Sequence, residues 1–155
     1  MKKGFTLIEL LIVLAIIAIL AVVAFAALDP LKRLDEAHDA TRWKDVSALL
    51  DAVKADQVDN GGATLAAISG LTPDLTYMIG SCATRGDTGC TAQTTQATCA
   101  NLSGLVTEGY IEAIPQDPKS GSAEKTEYYV SRSSSNVVTI GACDPEGERA
   151  IMVSR

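Results

Sequence analysis

An α+β fold, in which a long N-terminal helix packs its second half on a small antiparallel β-sheet, is what this sequence predicts. Three observations carry it. Residues 10–28 contain no polar or charged side chain, residues 31–53 repeat apolar positions at steps of three and four, and the last third alternates apolar and polar residues in short runs. A length of 155 residues suits one folded unit with an attached segment, not a pair of domains.

The first element runs over residues 5–28, which hold almost only Ala, Leu, Ile and Val with no Gly or Pro. About 20 helical residues cover the hydrocarbon core of a bilayer, so this segment is long enough to span one. Asp29 and Pro30 follow, and Pro30 removes a backbone donor and crowds the preceding turn, which predicts a kink or a loosened turn. Helical character resumes with Leu31, Leu34, Trp43, Val46, Leu50 and Val53 in one stripe, flanked by Leu49, and charged residues around it. Trp43 is placed in the core by that phase. Asp59-Asn60-Gly61-Gly62 supplies the stop. A helix from Phe5 to Asp59 extends on the order of 80 Å at 1.5 Å per residue. Residues 63–98 read as a long connection with a weak strand candidate at 75–79. Residues 99–108 read as a short helix ended by Gly109, and residues 110–118 as a loop locked by Pro115 and Pro118. Strands are predicted at 127–131, 136–141 and 150–153, with antiparallel pairing.

The formal net charge is -6, and loss of Lys2 and Lys3 leaves 11 basic against 19 acidic residues, a charge of -8. An acidic body with no basic face argues against binding a phosphate backbone, so nucleic acid is an unexpected partner. Cys82, Cys90, Cys99 and Cys143 all follow the apolar segment. An even count behind a membrane signal points to two disulfides in an oxidising compartment, and the spacing lacks the close pairs of zinc sites. Four cysteines permit three pairings, among which sequence alone does not choose. The preferred one is Cys82 with Cys90 and Cys99 with Cys143.

Met1-Lys2-Lys3-Gly4 is a short basic leader, held on the cytoplasmic side by its lysines. A secretory signal peptide is one reading, since Ala24-Phe25-Ala26 offers a small-x-small site, but the apolar stretch outlasts the usual 7 to 15 residue core. A plain membrane anchor explains the length and leaves Glu9 unexplained, because an intramembrane carboxylate costs roughly a few kcal/mol and calls for a partner. Lys2-Lys3-Gly4 followed by Phe5-Thr6-Leu7-Ile8-Glu9-Leu10 and a long apolar helix resembles the class III signal of type IV pilins and type II secretion pseudopilins. The resemblance implies a cut by prepilin peptidase after Gly4, N-methylation of the new terminal Phe5, and use of Glu9 in assembly. The leader is then residues 1–4, the transmembrane and assembly helix 5–28, and the pilin-like head 29–155, including the amphipathic helical half 29–60. After the cut, the Phe5 amine of one subunit can meet Glu9 of another inside the apolar bundle, and opposite charges offset part of each other's burial. Farther on, Gly109-Tyr110-Ile111, Ile114-Pro115-Gln116-Asp117-Pro118, Tyr128-Tyr129 and Thr139-Ile140-Gly141-Ala142 look like the C-terminal part of pseudopilins, where an Asp-Pro loop precedes the sheet. Pro30 sits slightly later than the kink proline of many pilins.

Residues with catalytic potential are few. His38 lies among Asp35, Glu36 and Asp39 with no nucleophile nearby, which places it on a solvated helical face. No phosphate loop, His-Glu-x-x-His or Gly-x-Ser-x-Gly motif occurs, so an enzyme is not expected. Asp144, Glu146 and Glu148 alternate in one loop and offer oxygen ligands to calcium, a metal that secretion pseudopilins often bind there. Arg42 and Lys44 read as subunit contacts or as a solvated face, and Asp117 as a turn cap. The expected function is therefore that of a subunit in a type IV pilus or secretion pseudopilus. It would be anchored in the inner membrane with its head outside the cytoplasm, then carried into a periplasmic or surface filament with copies of itself and other pilins. The other reading is a minor pilin whose head binds DNA or a secreted protein.

Overall fold

A computed structural model describes residues 4–83, 85–147 and 149–155. The chain divides into two compact units, Met1–Asp35 and Glu36–Arg155. In the first, helix α1 spans Leu7–Leu28 and is closed by Asp29 in the left-handed conformation (φ 37°). Helix α2 spans Pro30–Asp59. The break falls where the sequence predicts it, and its chemistry is local. Pro at the first position of a helix loses a donor that would be unpaired anyway, and its fixed φ suits that position. The Asp29 carbonyl then accepts from Arg33 N.

The second unit holds the rest of α2, short helices α3 (Ala66–Ser69) and α4 (Ser103–Thr107), and strands β1 (Thr76–Met78), β2 (Tyr128–Arg132), β3 (Val138–Ala142) and β4 (Met152–Ser154). The strands form one sheet in the order β1-β2-β3-β4, every pair antiparallel. Tyr77 faces Val130, Val130 faces Ile140, and Ile140 faces Val153 across successive ladders. The weak strand candidate at 75–79 thus becomes an edge of the sheet. Helix α2 ends at the predicted glycines, where Gly62 N donates to Gln57 O at 2.7 Å and Gly61 takes φ 63°.

One core joins Val46, Leu49, Leu50 and Val53 of α2 to Tyr128, Val130, Val138 and Ile140 of the sheet and to Leu102 and Leu105 near α4. Tyr129, one residue out of phase and so on the opposite face, joins Met78 and Cys143 in a second cluster flanked by Cys82, Cys90 and Cys99. The helix covers one face of the sheet and the cysteine-bearing connection covers the other. Gly141 is required beneath this second cover, because a Cβ there would run into the Tyr129 ring and the Ile151 carbonyl.

Three expectations are corrected. Trp43 is 43% exposed and not in the core, whereas Arg42 beside it is fully buried. The true stripe is 42, 46, 49, 53 and 56, and Trp43 lies about 100° round the helix from Arg42, on the solvent side. Leu31 and Leu34 are likewise exposed. The disulfides pair Cys82 with Cys99 and Cys90 with Cys143, with Cα separations of 5.7 and 4.4 Å. Backbone pairing dictates this. Residues 79 and 100 form a parallel bridge that sets Cys82 beside Cys99, and Ala92 N donates to Cys143 O at 2.8 Å, which brings Cys90 to the end of β3.

Candidate functional site

The N-terminal segment is built around one polar group. Thr6 caps α1 by accepting from Glu9 N at 3.3 Å, while Glu9 Oε2 accepts from Thr6 N at 3.0 Å and from Thr6 Oγ1 at 2.9 Å, a reciprocal capping box. This arrangement satisfies donors that a helix start leaves unpaired. The Gly4–Phe5 bond lies upstream of Thr6 N, so a cut there leaves the box intact. Both contacts fall on Oε2, and among the described residues Oε1 has no donor. Phe5 is 85% exposed and Gly4 has open space around it. Sixteen large apolar side chains from Phe5 to Leu28 are exposed and α1 contains no buried residue, so its apolar surface runs all round. A helix of that kind belongs in a membrane or within a bundle of its own kind. By length and composition it is able to cross a membrane.

In the second unit the sequence reading missed an ionic clasp. Arg42 Nε donates to Asp117 Oδ2 at 2.5 Å and Arg42 Nη2 to Asp117 Oδ1 at 3.2 Å, a two-pronged pair with both side chains fully buried. Arg42 Nη1 reaches Asp39 at 2.7 Å and Glu146 at 3.2 Å. Lys119 Nζ and His38 Nδ1 lie 2.6 and 2.9 Å from the two oxygens of Glu146. Asp39 in turn accepts from Glu146 N and Gly147 N. The Asp-Pro loop and the loop after β3 are thereby fastened to α2. His38 is half-buried and paired, not solvated. Asp117 does cap its turn, accepting from Lys119 N and Ser120 N. Burial pushes its carboxyl up, but the Arg42 bond and those two N–H groups outweigh burial and hold it below the usual range. The Lys119 bond first, with His38 and Arg42 behind it and burial opposing, brings Glu146 down to about 2. The signal available in the sequence was the phase of Arg42 with Val46, Leu49 and Val53.

Of the calcium candidates, Glu146 is engaged as above, Asp144 Oδ1 accepts from Thr91 N and Oγ1 at 3.2 and 2.5 Å, and Glu148 lies outside the described residues, as do Lys2 and Lys3. Phe5 and Glu9 lie in the first unit and the clasp residues in the second.

No curated protein and no solved structure matches the chain. Residues 1–25 match the prokaryotic N-terminal methylation motif. Gly4, Phe5, Thr6 and Glu9 all fall inside the matched span, at the start of an apolar helix that leads into an α+β head. The chain therefore carries the prepilin-type signal of type IV pilins and pseudopilins.

Proposed function

We propose that this protein is a structural subunit of a type IV pilin-like filament, cut after Gly4, N-methylated at Phe5 and drawn from the membrane into the fibre by its residues 5–28. The observation that carries the reading is the apolar, wholly uncovered α1, most of which lies inside the matched methylation motif. Each buried large apolar side chain contributes roughly 1.5–3 kcal/mol, so sixteen exposed ones favour any arrangement that hides them. Lipid hides them before assembly and neighbouring helices hide them afterwards. The motif points to a structural protein, not an enzyme, and no cofactor enters this reading.

Glu9 supplies register. Helices sliding past one another in an apolar bundle gain similar packing at many offsets, whereas an intramembrane carboxylate is stabilised only where a cation meets it. The Phe5 amine created by the cut is that cation, and Glu9 Oε1 is the acceptor left over by the capping box. The head, residues 29–155, then lies outside the bundle, with the chain anchored in the inner membrane before assembly. A contact that repeats without closing makes a filament, with copies of this chain and other pilins as partners.

Mass spectrometry of the mature protein tests the processing: Phe5 as the first residue, carrying one added methyl, is expected, and a terminus at Ala27 or Met1 refutes it. Electron microscopy of sheared fibres tests the register. Glu9→Ala is expected to be cut normally and to give at least tenfold fewer fibres, the loss expected when roughly a few kcal/mol of burial goes uncompensated. A normal fibre yield from that variant removes Glu9 from assembly.

A further inference from the structure

Among the described residues, Glu127 and Asp56 are buried acids with an unpartnered carboxylate oxygen, and Glu127 is the one that lies against a loop. It precedes β2 with a left-handed backbone (φ 59°), it is 7% exposed, and its Oε2 is buried with no donor among the described residues. Gly89 lies directly over the carboxyl. A Cβ on Gly89 would stand 3.0 Å from Oε1 and 3.2 Å from Oε2, and Gly89 itself takes φ 102°. A buried carboxylate without a hydrogen-bond partner is costly, and a neutral carboxyl in the same place much less so.

The charges around it make matters worse for the ionised form. Asp144, from the loop after β3, and Asp117, from the Asp-Pro loop, both oppose ionisation, and among the described residues only Lys125 favours it. Lys125 is already engaged with Thr88, at 2.6 Å to Oγ1 and 3.4 Å to the carbonyl. In the loop above, Arg85 and Asp87 are paired with each other at 2.6 Å. Burial first, then Asp144, with Asp117 adding to them against Lys125, pushes the carboxyl up to about 7.

We propose that Glu127 is a proton-dependent latch for residues 86–90: as a neutral carboxyl it packs beneath Gly89, and as a carboxylate it drives that loop to open and admit water. The opening is local. Cys90 is bonded to Cys143, whose N–H donates to the Glu127 carbonyl at 2.9 Å, and Cys82 is bonded to Cys99, so the loop lifts while a disulfide holds each end. The surface that covers one face of the head thus has a closed form in mildly acidic surroundings and an open form in neutral to alkaline ones.

Hydrogen exchange of the full-length protein in detergent, corrected for the intrinsic pH dependence of exchange, tests this. From pH 5.5 to pH 8 the amides of residues 86–90 are expected to lose about tenfold in protection, the shift in open population produced by one pH unit above the midpoint. In Glu127→Gln the protection is expected to stay constant. An equal pH response in the variant, or none in the wild type, overturns the latch. Carboxyl-carbon NMR of the wild type keeps the test independent of the variant's folding: a Glu127 midpoint near 4.5 overturns it, and one near 7 tracking the exchange change supports it.

Discussion

At the scale of single residues, burial and pairing decide what each charged group does. Arg42 is fully buried because a guanidinium can reach Asp117 with two parallel bonds while still serving Asp39 and Glu146. Removing it leaves the buried Asp117 carboxylate with neutral donors, the Lys119 and Ser120 N–H groups and, at 3.5 Å, the Ser120 hydroxyl. Arg42→Ala is therefore expected to destabilise the protein by roughly 3–5 kcal/mol, measured by urea unfolding in detergent. Arg42→Ala with Asp117→Ala should recover part of that loss, since the uncompensated charge is then gone. The residue scale is also where the sequence was least legible. A stripe of apolar residues names the helix face to within about one position, and at residues 42 and 43 that margin separates a buried arginine from an exposed tryptophan. Hydrophobicity ranks Trp inside and Arg outside. The order is reversed by carboxylates, of which the fully buried one, Asp117, waits 75 residues later, and a partner that distant has no local signature.

At the scale of elements, the two long helices were readable almost to their ends, because Pro30 and Gly61-Gly62 act on the backbone itself and need no tertiary context, whereas α4 starts four residues later than expected and the single turn of α3 lies in what read as a connection. The strands were readable in position, with bounds shifted by one or two residues. The cysteine connection was legible as disulfide-tied and illegible in its pairing. Pairing depends on the bridge between residues 79 and 100 and on the seat of residue 92 against β3, both long-range contacts. Cys90–Cys143 closes a span of 53 residues, and the loss of chain entropy in the unfolded state grows with the span. The double variant Cys90→Ala and Cys143→Ala is expected to lose roughly 2–4 kcal/mol in unfolding experiments. It should also expose Met78 and Tyr129, read as faster exchange at β1 and β2, whereas α2 should hold its protection.

At the scale of the whole molecule, two sets of carboxyls work in opposite directions as pH changes. Glu146, brought down to about 2, and Asp117, also held low, contribute stability that is present above their unfolded values near 4 to 4.5 and lost as pH falls below them. Glu127, raised to about 7, contributes stability that is full below about 4.5 and lost as pH rises through 7. Thermal unfolding followed across pH is expected to peak near pH 5 and to decline on both sides. In Glu127→Gln the decline between pH 5 and 7 should vanish while the acid side remains. The general architecture, a long helix on a four-stranded sheet, was legible because it rests on periodicity and on glycine and proline. The clasp and the latch were hidden because each rests on groups brought together only by the finished fold. The Cys90–Cys143 bond has a further consequence, and it concerns time. Its second sulfur sits at the end of β3, so covalent closure waits until three strands of the sheet have been made. A chain interrupted earlier keeps a free thiol at Cys90. Oxidation at this position thus separates finished heads from unfinished ones.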